Sequence, residues 1–313
     1  MSRSIPSILA GIAVLALPGC ATPTTRHPTV PADLGVQAAT SDMEASLART
    51  GIVTFQRTAF ARWTGGRGAF IDRNDPRTSA VPKGDEEAVI YAYALDHPLF
   101  GRVLIDSGVS TDLDSRLNAI MRRGVQDLGV RTEQTTEQWL AGQVAPRAVF
   151  VTHLHFDHIG GLIDLPVTTP VYVGRGEAQE RSRINLLLGS PADAILRGYG
   201  PLREWAFQPD PDGAFEGVLN VFGDGSVWAI HVPGHSAGST AYLINAVDGA
   251  KLVVGDAVST RLGWEAGMPQ PVPAAARQAA ERSSDRLRRF AAAHPAVEVF
   301  LGHQSRTGQP DAE

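Results

Sequence analysis

The stretch Thr152-His153-Leu154-His155-Phe156-Asp157-His158-Ile159-Gly160-Gly161 decides how this chain is read. It follows the apolar run Ala148-Val149-Phe150-Val151, short enough for a buried strand, and it ends in a glycine pair that breaks the strand. Residues two apart on an extended segment point to one side, so His153, His155 and Asp157 can converge, and a turn at His158 can add a fourth group. Neutral imidazoles and carboxylates are ligands that zinc and neighbouring first-row metals accept. A histidine-rich surface loop is the plainer alternative. Three imidazoles and a carboxylate within six residues, placed by an apolar strand, favour a metal site.

The order of these residues resembles the hallmark His-x-His-x-Asp-His of the metallo-β-lactamase superfamily. Further parts of that pattern follow downstream. The strand-like Val227-Trp228-Ala229-Ile230-His231-Val232 leads into Pro233-Gly234-His235-Ser236-Ala237-Gly238-Ser239. Lys251-Leu252-Val253-Val254 ends in Gly255-Asp256, and Val297-Glu298-Val299-Phe300-Leu301 ends in Gly302-His303. The resemblance implies that His153, His155 and His235 hold one metal, that Asp157, His158 and His303 hold a second, and that Asp256 bridges the pair. It also implies a place near the metal for Asp106, orienting a ligand histidine, although Asp106 reads equally well as a helix cap. Zinc is the first expectation, with iron or manganese open, since supply more than affinity selects the metal at such sites. A hydroxide shared by two cations is the implied nucleophile, because metal binding lowers the pKa of water from about 15.7 to roughly 7. Asp157 is the expected proton carrier to the leaving group. No serine or cysteine nucleophile is required; Ser236 and Ser239 read as turn residues and His231 as structural.

Asp256 separates the chain from true β-lactamases, which lack a bridging aspartate there, and aligns it with the lactonase and glyoxalase II branches. N-acyl homoserine lactonases often carry a tyrosine three residues after that aspartate; this chain has Ser259. Ten residues follow His303, which leaves no room for the basic helical domain expected of glyoxalase II. The expectation is a dinuclear hydrolase acting on a lactone or related ester, a small molecule. The alternatives are a β-lactamase-like or phosphodiesterase hydrolase, a mononuclear iron persulfide dioxygenase of the same fold, and a non-catalytic binding lipoprotein.

Composition agrees with a globular protein: 313 residues, 43% hydrophobic, 19% charged, net charge -5. Basic residues form no stripe, so nucleic acid is not an expected partner. Residues 1–20 read as a secretory signal, with Arg3 ahead of an apolar run too short to span a bilayer. The run ends in Leu17-Pro18-Gly19-Cys20, which resembles the lipobox of bacterial lipoproteins. That resemblance implies a lipid anchor on Cys20, the only cysteine, holding the protein at a membrane facing the periplasm or cell exterior. A plain secretory signal cut near Ala21, giving a soluble periplasmic protein, is the rival. Residues 21–45, rich in Pro, Thr and Ala, are expected to form a flexible tether, with His27 exposed on it, and 46–313 the hydrolase domain.

Within that domain, Gly51–Phe55 predicts a strand, and 56–86 an irregular insertion whose Phe60, Trp63 and Phe70 either line a binding loop or staple it to the core. Ala88–Leu95 and Gly101–Asp106 predict a hairpin. Leu113, Leu117, Ile120, Met121 and Val125 recur at helical spacing and predict a helix over 112–128, with Trp139, Leu140 and Val144 continuing the cover. Pro170–Val173 and Thr240–Ile244 predict strands; 177–188 and 274–293 predict helices, the latter ending in a solvated cap at His294. Tyr199, Trp205 and Phe207, in the 190–215 segment, form either a second wall of the substrate pocket or satellite core. By resemblance, two groups of strands with helices outside them make a four-layer αββα sandwich, an α/β fold with the metals at one edge.

Overall fold

Strand β4 (Asp85–His97) carries the logic of the layers. Val89, Tyr91, Tyr93 and Leu95 point to one buried cluster while Ala88's neighbours Ile90, Ala92 and Ala94 point to another. A strand covered on both faces needs apolar side chains in both registers, so it reads as a continuous apolar run. The computed structural model describes residues 25–179 and 190–306.

Among the described residues, one sheet has eight strands in the order β1 (Thr29–Pro31), β9 (Leu202–Glu204), β8 (Val171–Val173), β7 (Val149–Phe150), β5 (Gly101–Ile105), β4, β3 (Thr54–Gly66) and β6 (Arg131–Thr132). The other has six: β14 (Glu298–Leu301), β13 (Gly249–Gly255), β12 (Thr240–Ala246), β11 (Val227–His231), β10 (Val218–Asn220) and β2 (Val36–Ala38). The facing sides enclose a core that includes Phe150, Tyr172, Trp205, Tyr242 and Phe300. Outside the first sheet lie helices Thr136–Leu140, Phe156–Ile159 and Pro191–Ile195; outside the second, helix Arg277–Ala293 packs Leu287 and Phe290 against Leu252, Val254 and Val299. The arrangement is the expected αββα sandwich.

Several boundaries differ from the sequence reading. Residues 1–20 of the expected signal with Cys20, residues 21–24 of the expected tether and residues 180–188 of the expected 177–188 helix lie outside the described residues. The rest of the expected tether is not a linker. β1 pairs with β9, β2 pairs with β10, and Thr40–Ser46 is a helix, so this segment edges both sheets. His27 is partly buried, its ring 2.7 Å from the Gly200 carbonyl oxygen. The insertion is strand up to Gly66: β3 pairs with β4 through a register shift between Ala59 and Ala61. The extra residue, Phe60, is fully buried against Trp139, and Phe70 is buried too, so both staple the segment to the core. The helix over 112–128 breaks in two, Leu113–Arg116 and Ala119–Asp127, because Asn118 Oδ1 accepts from the Ile120 and Met121 amides and caps a new start. Ile120 is 52% exposed and Val144 74%, so neither covers the core.

Trp205 and Phe207 are core rather than pocket wall. Trp205 stacks on Tyr172 at 4.7 Å, meets Phe150 edge-on, and donates its indole N–H to Tyr242 Oη across the sheet interface at 3.2 Å. Replacing Trp205 with alanine is therefore expected to cost about 3–5 kcal/mol, the range for emptying a buried aromatic site. Urea denaturation checks this; a loss under about 1 kcal/mol would contradict the inter-sheet role.

Candidate metal centre

β5, β7, β11, β13 and β14 end at a common rim, and each hands a polar residue to it. Asp106 follows β5, the His153 to His158 segment follows β7, His235 follows β11 after the Pro233-Gly234 turn, Asp256 follows β13 and His303 follows β14. Tyr242 Oη donates to the Val151 carbonyl at 3.0 Å and the Thr240 amide to the Thr152 carbonyl at 2.9 Å, which ties the second sheet to the histidine segment.

The structure brings all seven sequence-derived residues together. His153 Nε2 lies 2.8 Å from His155 Nδ1, and His235 Nε2 lies 3.2 Å and 2.9 Å from those same atoms. Asp157, His158 and His303 form a second group, with His303 Nε2 3.4 Å from Asp157 Oδ2. Asp256 stands between them. Its Oδ2 is 3.5 Å from His235 Nε2 and 3.2 Å from His303 Nε2, while Oδ1 is 3.6 Å from His158 Nε2. Gly302 makes this possible, since a Cβ there would fall 2.0 Å from Asp256 Oδ1.

Outer partners set the ring orientations. Asp106, a non-glycine residue at φ 56°, accepts from the Thr152 amide at 2.7 Å, from Thr152 Oγ1 at 2.9 Å and from His158 Nδ1 at 2.8 Å. His303 Nδ1 donates to the Val89 carbonyl at 3.0 Å. In both rings the bonded Nδ1 leaves Nε2 facing the centre, the arrangement by which outer hydrogen bonds orient a metal-ligating imidazole.

Charge follows the same division. Burial, reinforced by neighbouring imidazoles, pushes His153 well down, His155 down to about 3, and His235 down, favouring the neutral ligating form. Burial also opposes charge on His158 and His303, but carboxylates outweigh it: Asp106, Asp157 and Asp256 raise His158 to about 10, and Asp256 and Asp157 raise His303. Asp256 is penalised by burial yet held well below the usual carboxylate range by His303, His235 and His158.

These residues fit divalent cations. Three mostly neutral nitrogens meet about as closely as the corners of a tetrahedron around zinc, whose edge is roughly 3.3 Å for bonds of about 2.0–2.1 Å. Hydrogen bonds cannot satisfy all three at once, because a neutral imidazole offers only one N–H. His158 Nε2 and Asp256 Oδ1 are buried with no hydrogen-bond partner among the described residues. A native structure rarely leaves such atoms orphaned without a water or ion.

Further residues surround these groups, of which only Gln270 went unremarked in the sequence. Trp63 packs edge-on to the His303 ring at 4.8 Å. Gln270 donates to the carbonyls of Asp256 and Ala257 at 2.8 Å and 3.0 Å. Ser259 is buried, its hydroxyl 3.5 Å from Gln270 Oε1. His231 stacks on Phe207 and bonds the Ala237 carbonyl, a structural place.

The sequence matches the family model of the metallo-beta-lactamase superfamily over residues 90–303. It is 36% identical over 110 residues to the probable metallo-hydrolase YqgX of Bacillus subtilis (strain 168), covering 34% of this chain and 47% of that one. It is 30% identical over 166 residues to the N-acyl homoserine lactonase AttM of Agrobacterium fabrum (strain C58 / ATCC 33970), covering 52% and 58%. The chain thus spans about half the length of these curated relatives. Its fold is similar to that of an AiiA mutant of B. thuringiensis with N-decanoyl-L-homoserine bound at the active site, at 20% identity and a TM-score of 0.57, covering 81% of this chain and 93% of that one. At that identity the likeness is one of fold.

Asp106→Asn tests the orientation of His158. Asparagine tolerates the left-handed backbone, so the fold should survive. Zinc affinity, read by competition with a chromogenic chelator, should fall about 10–100-fold. An unchanged affinity would mean that His158 is not held for a metal.

Proposed function

The chain belongs to the metallo-β-lactamase superfamily, and from that membership we propose a metal-dependent hydrolase that opens a lactone or a related neutral ester. One observation carries the reading: seven side chains from four strand ends converge, with Asp256 between two ligand groups. Held there, two divalent cations (zinc first, iron or manganese next) would polarise the ester carbonyl and activate water near neutral pH. His153, His155 and His235 would hold one, Asp157, His158 and His303 the other, and Asp256 both. Asp106 keeps His158 turned inward. Asp157, on the cleft side, would carry a proton to the departing alkoxide.

The adjoining cleft supports the substrate class. It measures about 410 Å³, reaches Asp157, and is lined by apolar Ile90, Val109, Leu113, Val125, Val130 and Phe156. Among the described residues that line it there is no lysine or arginine, and Asp114 and Asp157 are present. Such a wall would bury the apolar tail of a neutral lactone and would offer a charged tail no described cation. The relative AttM is a lactonase by name, which agrees.

We also propose that residues 1–20 direct export and that Cys20 carries the membrane anchor. Among the described residues no helix is long and apolar enough to cross a membrane. Cys20→Ala should move the protein from the membrane to the soluble fraction; retention in the membrane fraction would refute the anchor.

Purified protein should bind two metal ions per chain, lose activity on chelation and hydrolyse lactones in a panel that also holds β-lactams, thioesters and phosphodiesters. KM should fall with acyl length by up to roughly fourfold per buried methylene, the equivalent of about 0.8 kcal/mol. Asp256→Ala should lower kcat/KM by at least about 100-fold, the scale for removing one preorganised charge partner at a reacting centre. Undiminished hydrolysis in that variant would eliminate the shared role of Asp256. One bound iron with sulfur-dependent oxygen uptake would instead favour the dioxygenase.

A further inference from the structure

A fully buried carboxylate outside the seven joins two of the ligand loops. Glu177 opens the 3-10 turn Glu177–Gln179 after β8. Its Oε1 accepts the Leu154 amide at 2.7 Å, and its Oε2 accepts the Ser236 hydroxyl at 2.6 Å and the Gly238 amide at 2.9 Å. Leu154 lies between His153 and His155, and Ser236 follows His235. One carboxylate therefore grips the backbone of both loops whose rings meet at the first ligand group.

The packing around it is built for this grip. A Cβ on Gly174 would fall 1.6 Å from the Gly238 carbonyl oxygen, and one on Gly238 would fall 2.5 Å from Glu177 Cβ. Bare backbone at both positions lets the His235 turn close down on the carboxylate. Ser239 Oγ accepts the Ser236 amide at 3.0 Å and lies 2.8 Å from Ser236 Oγ, which fixes the hydroxyl that bonds Glu177. A buried carboxylate is costly to hold without satisfaction, and these three donors answer both of its oxygens. A turn that needed only a cap would be served by a neutral side chain.

We propose that Glu177 is a positioning residue: it locks the His153/His155 loop to the His235 turn, so that their three ring nitrogens converge on one metal. This rests on the reading above that those rings hold a metal. Glutamine at this position keeps the shape but replaces one acceptor oxygen with a donor, and it cannot accept all three bonds. With the full chain, Zn²⁺ affinity measured by chelator competition should resolve two sites in the parent protein. In Glu177→Gln one site should weaken about 10–100-fold, the scale for losing a partner behind the ligands, while the other keeps its affinity. The visible absorption of the Co²⁺-loaded variant should change with it. Ser236→Ala, which removes a single donor, should weaken the same site by less than about tenfold.

A folded Glu177→Gln protein with both sites at parent affinity, whatever its change in Tm, would overturn the positioning role and leave the metal reading standing. If Glu177→Gln does not fold, Ser236→Ala decides by the same selective loss or its absence. A parent protein that binds no Zn²⁺ would overturn both.

Discussion

Charge removed from water must be neutralised, and among the described residues the carboxylates of Asp106, Asp256 and Glu177 are buried along one rim. An unpaired buried carboxylate costs several kcal/mol even after relaxation, so each must be answered locally. The answers differ. Glu177 accepts the Leu154 and Gly238 amides and the Ser236 hydroxyl. Asp106 is met by Thr152 and by an imidazole held protonated at Nδ1. Asp256 has ring nitrogens around it at 3.2–3.6 Å and one oxygen without a hydrogen bond. Distances beyond about 3.2 Å are poor hydrogen bonds. The under-satisfied carboxylate sits where the ligand groups meet, and positive charge placed between them would complete it.

The sandwich turns that electrostatic need into geometry. Parallel pairing of β5 with β7, and of β13 with β14, sends strand ends to the same side, and β11 runs with β13 because both are antiparallel to β12. A residue just past each strand therefore reaches the rim without a long loop. The aromatic contacts around Trp205 and Tyr242 then hold the two sheets in register directly beneath the histidine segment. A core that is rigid below the rim is what lets ring nitrogens from both sheets lie within 2.8–3.2 Å of one another.

The ligand set was legible because its chemistry is concentrated in short segments that each follow an apolar strand. His153 to His158 carry four groups in six residues, and Gly255-Asp256 and Gly302-His303 close strands buried on both faces. β3 was not legible past Phe55, since the bulge at Phe60 inverts the alternation midway and Gln56, Arg57 and Arg62 look like loop. β1 and β2 escaped notice for another reason. Three-residue edge strands with exposed side chains and a proline have neither length nor periodicity to read. Asn118 defeated the helix pattern by offering its side chain as a cap in mid-run. Glu177 was seen only as a helix start, because no sequence pattern shows that its partners lie on two distant loops.

Superfamily members share the ligand set, so selectivity in this chain must come from what borders it. One side offers Phe156, Ile90 and Val109; the other offers Trp63 against His303. Among the described residues that line the cleft there is no lysine or arginine, and Asp157 stands at its inner end. Away from the ligand groups, the described cleft wall would offer an anionic tail no cation, while its apolar side chains would bury an uncharged one. A neutral ester would bring no charge on entry and, in the reading proposed, would develop it only on attack at the carbonyl and opening of the ring, beside Asp157. The apolar wall thus favours, within the proposal, an ester with an uncharged, apolar tail.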